Sequence, residues 1–162
     1  MQIYLVRHGD YIMNDPEQRL SSEGEEQIRR VGKALKDLGV SFQAVITSPK
    51  MRAKQTGLII AELTRFPAEK IIETTTVKPS TPPKEALEFL RDYEDYKSIL
   101  IAGHLPSLDE ISSCLLMEKR GGCIRFEPGT ICSIECAGPA PGTGEIRWVM
   151  PQRIIKTLIH GA

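Results

Sequence analysis

The chain has 162 residues, 41% hydrophobic and 26% charged, an ordinary globular balance whose length suits a single domain over residues 1–162. Lys plus Arg count 21 and Asp plus Glu count 21, so the formal net charge is zero. That excludes a protein whose main work is neutralising a nucleic-acid backbone, while leaving room for a local basic pocket. No apolar run approaches the roughly 20 residues of a membrane span. The start, Met1-Gln2-Ile3-Tyr4-Leu5-Val6-Arg7-His8, lacks the basic region of a signal peptide. A cytoplasmic protein with no membrane and no nucleic-acid partner is expected. Cys114, Cys123, Cys132 and Cys136 contain no Cys-x-x-Cys pair, so free thiols are expected in place of a disulfide framework or a metal site.

The predicted elements alternate. Ile3 to Val6 is a short strand ending in Arg7-His8-Gly9-Asp10. After a polar stretch, Ser22 with Glu25 makes a capping-box pattern, and Ile28, Val31, Leu35 and Leu38 form one apolar helix face that Gly39 terminates. Ala44 to Ile46 is the next strand, leading through Ser48-Pro49 into a helix over 51–63. Ile71 to Val77 is rich in β-branched residues and predicts a third strand. Pro82-Pro83 opens a helix with Leu87, Leu90 and Tyr93 inward. Ser98 to Ala102 is a buried strand ending in Gly103-His104, and a helix over 107–117 follows. Cys123 to Phe126, Ile131 to Cys136 and Ile146 to Met150 predict further strands, and His160 reads as tail.

Strand and helix in alternation imply an α/β fold, a three-layer αβα sandwich around a mostly parallel central sheet. Such sheets bind ligands beyond the carboxyl ends of their strands. The loops after Val6, Ile46 and Ala102 therefore converge, bringing Arg7, His8, Gly9, Ser48, Arg52 and His104 to one edge. Two guanidiniums present planar forks matched to phosphate oxygens. A histidine between them has two roles open: nucleophile carrying a phosphoryl group, or general acid–base. Phosphoryl transfer needs chiefly positioning and charge neutralisation, which this set supplies without a metal or other cofactor. No Gly-x-Gly-x-x-Gly follows the first strand, which argues against a dinucleotide-binding oxidoreductase.

The blocks Leu5-Val6-Arg7-His8-Gly9-Asp10, Leu20-Ser21-Ser22-Glu23-Gly24 with Gln27, Ser48 to Thr56, and Gly103-His104 together resemble the histidine phosphatase (phosphoglycerate mutase-like) superfamily. Among its branches the chain is most similar to the short SixA-type phosphohistidine phosphatases. The resemblance implies a phosphoglycerate mutase-like fold and a two-step hydrolysis in which His8 attacks phosphorus and becomes phosphohistidine. Arg7, Arg52 and His104 then bind the phosphoryl oxygens, with Gly9 and Ser48 as further phosphate contacts. Inorganic phosphate or sulfate is the simplest ligand for such a pocket.

Many mutases and phosphomonoesterases of the superfamily carry an acid after the third strand, or next to the second histidine, to protonate an alkoxide. Here the corresponding stretch, Val77-Lys78-Pro79-Ser80-Thr81, holds none, and Leu105 follows His104. A phosphoramidate nitrogen takes its proton from solvent, so the expected substrate is phosphohistidine on a partner protein such as a histidine-containing phosphotransfer domain of a signalling chain. Asp10 is the remaining candidate proton donor. Two rival readings share these residues: a phosphomonoesterase for a sugar phosphate or nucleotide, and a phosphate-binding protein without turnover.

Overall fold

The computed structural model describes residues 1–118 and 121–160. Among them the strands form one mixed sheet: β1 (Gln2–Arg7), β2 (Ala44–Thr47), β3 (Ile72–Glu73), β4 (Ser98–Gly103), β5 (Ile131–Cys136) and β6 (Gly144–Met150), in the spatial order β3-β2-β4-β1-β5-β6. The first four in that order run parallel; β5 is antiparallel to β1, and β6 to β5. Five helices cover it: α1 (Ser22–Asp37), α2 (Met51–Thr64), α3 (Pro83–Leu90), α4 (Ser107–Met117) and α5 (Gln152–His160).

Both faces of the sheet are buried, and the strand period of two sorts its side chains. Ile3 and Leu5 of β1, with Ile99 and Ile101 of β4, pack against Leu87 and Leu90 of α3 and Leu108 and Ile111 of α4. Tyr4, Val6, Leu100 and Ala102 pack on the other face against Ile28, Val31 and Leu35 of α1, Ile60 of α2 and Ile155 of α5. Each such aliphatic side chain contributes about 1.5–3 kcal/mol through burial. The chain leaves β1 over one face, by α1, and leaves neighbouring β4 over the other, by α4. Two adjacent parallel strands whose connections part in this way open a crevice at their carboxyl ends. Arg7 ends β1 and Gly103 ends β4, paired in register, so His8 and His104 enter that crevice side by side.

Several sequence expectations are corrected. The cap of α1 is Ser21, whose Oγ accepts the Gly24 N–H at 3.0 Å, so Ser22 is already helical. Leu38 lies beyond the buried face and is exposed. The 71–77 strand shrinks to Ile72–Glu73, because Thr74 Oγ1 accepts the Thr76 N–H and the chain turns into a 3₁₀ turn over Thr75–Val77. Residues 123–126 form no strand. The preceding Gly121 and Gly122 take positive φ, and Asp109 accepts the Gly122 N–H, so the segment is held by side chains and not by a ladder. His160 closes α5, a helix rather than a tail. The four cysteines are free thiols, and burial pushes Cys132 up to about 12. No helix among the described residues is long and apolar enough to cross a membrane.

Candidate active site

His8 is 4% exposed and His104 is 2% exposed, their ring centroids 5.0 Å apart. The tautomer of His8 follows from its contacts. Nδ1 lies 2.8 Å from the Gly9 carbonyl, which only accepts, so Nδ1 carries the proton. Nε2 accepts from Arg52 Nε–H at 3.1 Å, so it carries the lone pair. Burial pushes the His8 pKa down to about 4, aided by the Arg52 and Arg7 charges and opposed by the Gly9 carbonyl and Asp10. Burial and then the charges of His8, Arg52, Lys50 and Arg7 push His104 down to about 3. Both rings are therefore neutral at pH 7, and His8 presents an unprotonated nitrogen without needing a base to deprotonate it.

Arg7 donates from Nη1 to the Phe126 carbonyl at 2.7 Å, while its buried Nε has no protein acceptor. Neither ring nitrogen of His104 has a protein partner, although both are buried. An unsatisfied buried donor costs about 1–3 kcal/mol, so such a group beside the buried His8 ring fits an oxyanion that completes its bonding. Arg52, in the first turn of α2, lies with its Cζ 4.6 Å over the ring of Tyr11, and Tyr11 meets His8 edge-on at 5.6 Å. Burial lowers both arginines from their ordinary value, but a guanidinium so far above neutrality stays charged.

The loop after His8 is fixed by close backbone contact. A Cβ on Gly24 would lie 1.9 Å from the Asp10 carbonyl oxygen, and one on Gly9 would lie 2.4 Å from the Gly24 oxygen, so only glycines fit. Gln27 of α1 then clasps Asp10 from two sides: its Oε1 accepts the Asp10 N–H at 2.9 Å and its Nε2 donates to Asp10 Oδ2 at 2.7 Å. Gln152 of α5 donates to the Gln27 and Gly129 carbonyls behind it.

The structure thus brings His8, Arg52 and His104 together, with Arg7 at the end of β1 beneath them and Gly9 as the contact that holds the loop. Ser48 is buried at the start of the α2 turn, where its Oγ accepts the Lys50 N–H at 3.5 Å. Asp10 sits at the exposed edge with one carboxylate oxygen engaged. Sequence reasoning missed Tyr11, Gln18 and the Phe126 carbonyl. The stretch around Tyr11 carries no periodicity, and a backbone acceptor carries no residue-type signal. Among the described residues no group of acidic, histidine and cysteine side chains is arranged to hold a metal ion.

A family model described as the histidine phosphatase superfamily (branch 1) matches residues 3–74, and an uncharacterized protein of Picosynechococcus sp. is 30% identical over 141 residues, 83% of this chain and 84% of that one. The chain belongs to the histidine phosphatase superfamily. The mitochondrial serine/threonine-protein phosphatase Pgam5 of Drosophila melanogaster is 34% identical over 103 residues; that match takes in 56% of this chain and only 36% of the fly protein. In fold, the chain is similar to the protein histidine phosphatase SixA complexed with tungstate, at TM-score 0.85 and 23% identity, over 94% and 98% of the two chains. The alpha-ribazole phosphatase from Shigella flexneri superposes at TM-score 0.70 with 18% identity, over 94% and 97%. Membership in this superfamily supports a phosphatase, that is, a hydrolase of phosphoryl groups.

Proposed function

We propose that the protein removes phosphoryl groups from phosphohistidine displayed by another protein, through a covalent phospho-His8 intermediate. His8 Nε2 attacks phosphorus in line and the bond to the substrate's ring nitrogen breaks. Arg7 and Arg52 neutralise the phosphoryl charge and, with His104, orient the three equatorial oxygens, while the Gly9 carbonyl holds the His8 tautomer. Water then attacks phospho-His8, releasing inorganic phosphate and restoring the neutral ring. No metal and no other cofactor takes part in this scheme.

One observation carries the choice of substrate. The titratable groups that reach His104 are His8, Arg52, Lys50 and Arg7, all basic. The carboxylate that reaches His8 is that of Asp10, whose Oδ2 accepts from Gln27 Nε2 at 2.7 Å. We assign Asp10 to anchoring the loop in preference to proton donation. The carboxyl group that a departing alkoxide would meet is already engaged by Gln27, whereas a phosphoramidate nitrogen takes its proton from solvent. Exposed apolar residues in the segments beside the two histidines, Ile12, Met13 and Leu105, suit a protein surface better than a small polar metabolite.

The test is phosphate release from a phosphohistidine-bearing phosphotransfer protein, beside a phosphoserine peptide, sugar phosphates and nucleotides, for the wild type and His8→Ala. Fast release from the first, abolished by the substitution, is expected. Higher kcat/KM on a sugar phosphate or nucleotide would overturn the substrate. Binding of phosphate with no turnover of anything would make the protein a binder. Activity that survives His8→Ala would overturn the mechanism.

A further inference from the structure

Arg52 is held at two points. Its Nε–H donates to His8 Nε2, and its Nη1 donates to Gln18 Oε1 at 2.6 Å. The first contact sits on the lone pair with which His8 would attack. A ring nitrogen has one in-plane lone pair, so the guanidinium must leave it before a bond to phosphorus forms. The second contact keeps the guanidinium where it is.

Gln18 is built into this position at a cost. Its φ of +51° lies in the left-handed region, unusual for a residue that is not glycine. The turn that produces it is clipped at both ends. The Gln18 N–H donates to the Asp15 carbonyl, and Arg19 forks onto the Asp15 carboxylate at 2.8 and 3.0 Å. Tyr11 and Leu20 form a bridge, and the Leu20 N–H donates to Gln55 Oε1, one turn along α2 from Arg52. The 11–20 segment is therefore a strap fastened to the helix that carries Arg52, with the Tyr11 ring under the guanidinium and the Gln18 amide beside it.

We propose that Gln18 is a specificity-determining residue for the phosphoryl group: its amide oxygen competes with phosphoryl oxygens for Arg52 and keeps the guanidinium across the His8 lone pair until an oxyanion takes it over. The competition sets a threshold. A dianion offers charged acceptors that displace a neutral amide and a neutral ring nitrogen together, whereas an ester monoanion offers less. The inference rests on the proposed function only in taking Arg52 as a phosphoryl ligand, and it is independent of which molecule carries the phosphate.

Tungstate, a tetrahedral dianion, is the probe. Its dissociation constant is measured calorimetrically for the wild type, Gln18→Ala, Gln18→Glu and Arg52→Ala, with the thermal midpoint of each recorded as the folding control. Gln18→Ala removes the competitor, and tungstate should bind roughly three- to tenfold more tightly, as loss of one competing hydrogen bond of ordinary net strength dictates. Gln18→Glu replaces a neutral acceptor with an anion, and binding should weaken at least tenfold. A merely structural role would weaken binding in both variants, and no role would leave Gln18→Ala unchanged; either result overturns the proposal. If tungstate binds as well to Arg52→Ala as to the wild type, the reading of the site fails and this one with it.

Discussion

Burial of two neutral imidazoles makes the stability of this fold depend on pH above the range where carboxylates titrate. In the unfolded chain a histidine titrates near pH 6.5; folded, His8 stays neutral to about 4 and His104 to about 3. A lowered pKa means that the unfolded state binds protons first, so stability is fully present above pH 6.5 and drains as pH falls towards 4 and then 3. Between pH 7 and pH 5, each unfolded ring gains a proton that its folded counterpart refuses, which costs about 2 kcal/mol per histidine and about 4 kcal/mol for the pair. Against a typical domain stability of about 5–15 kcal/mol that is a large fraction. The assay is urea unfolding at pH 7, 6 and 5 for the wild type, His8→Gln and His104→Gln. Each substitution should remove about half of the loss. The chain has one other histidine, His160, so the background is small. A loss between pH 7 and 5 that is the same in all three proteins would refute the claim that these rings are held neutral.

Gly24→Ala forces a methyl group against the Asp10 carbonyl, and overpacking against backbone costs about 3 kcal/mol. The thermal midpoint should fall by roughly 5–10 °C, with turnover falling too because the same backbone carries the loop after His8. Arg52→Lys keeps the charge but loses the fork that spans His8 Nε2 and the Gln18 amide. Phosphatase kcat/KM should drop about a hundredfold while urea unfolding at pH 7 changes little.

The residues brought together at the strand ends were legible because each follows a short apolar run whose direction the alternating pattern fixes. Ile3 to Val6 and Ser98 to Ala102 read as strands from their apolar runs alone, and a parallel sheet brings the loops after them, with His8 and His104, to one edge. Capping and turn detail was less legible. Ser21 and Ser22 are both good caps, and the choice went to Ser21 because the helix start must press against Asp10, a contact between residues 14 apart. Thr74 to Val77 looks like a strand by composition, yet threonine hydroxyls that bond their own backbone compete with a ladder. Segment 123–126 was misread because its apolar residues face the core from an irregular backbone held by Asp109. α5 escaped notice although Ile154, Ile155 and Leu158 fall at helical spacing, because the segment is short and follows the last strand directly. Gln18 was invisible for a different reason: its role depends on a left-handed backbone conformation that nothing in its residue type announces.

The place of β1 in the sheet bears on how the protein is made. β1 lies between β4 and β5, whose pairing residues begin at Ser98 and Ile131. At about 5–20 residues per second, a ribosome needs roughly 6–25 s after finishing β1 to supply the second of these partners. Through that interval the apolar stretch Ile3 to Val6 has bare hydrogen-bonding edges, the kind of surface that recruits other strands. The strand that carries His8 is thus synthesised before both of its partners, and a nascent chain halted before Ile131 carries His8 on an unfinished sheet, open to pairing with the strands of other chains.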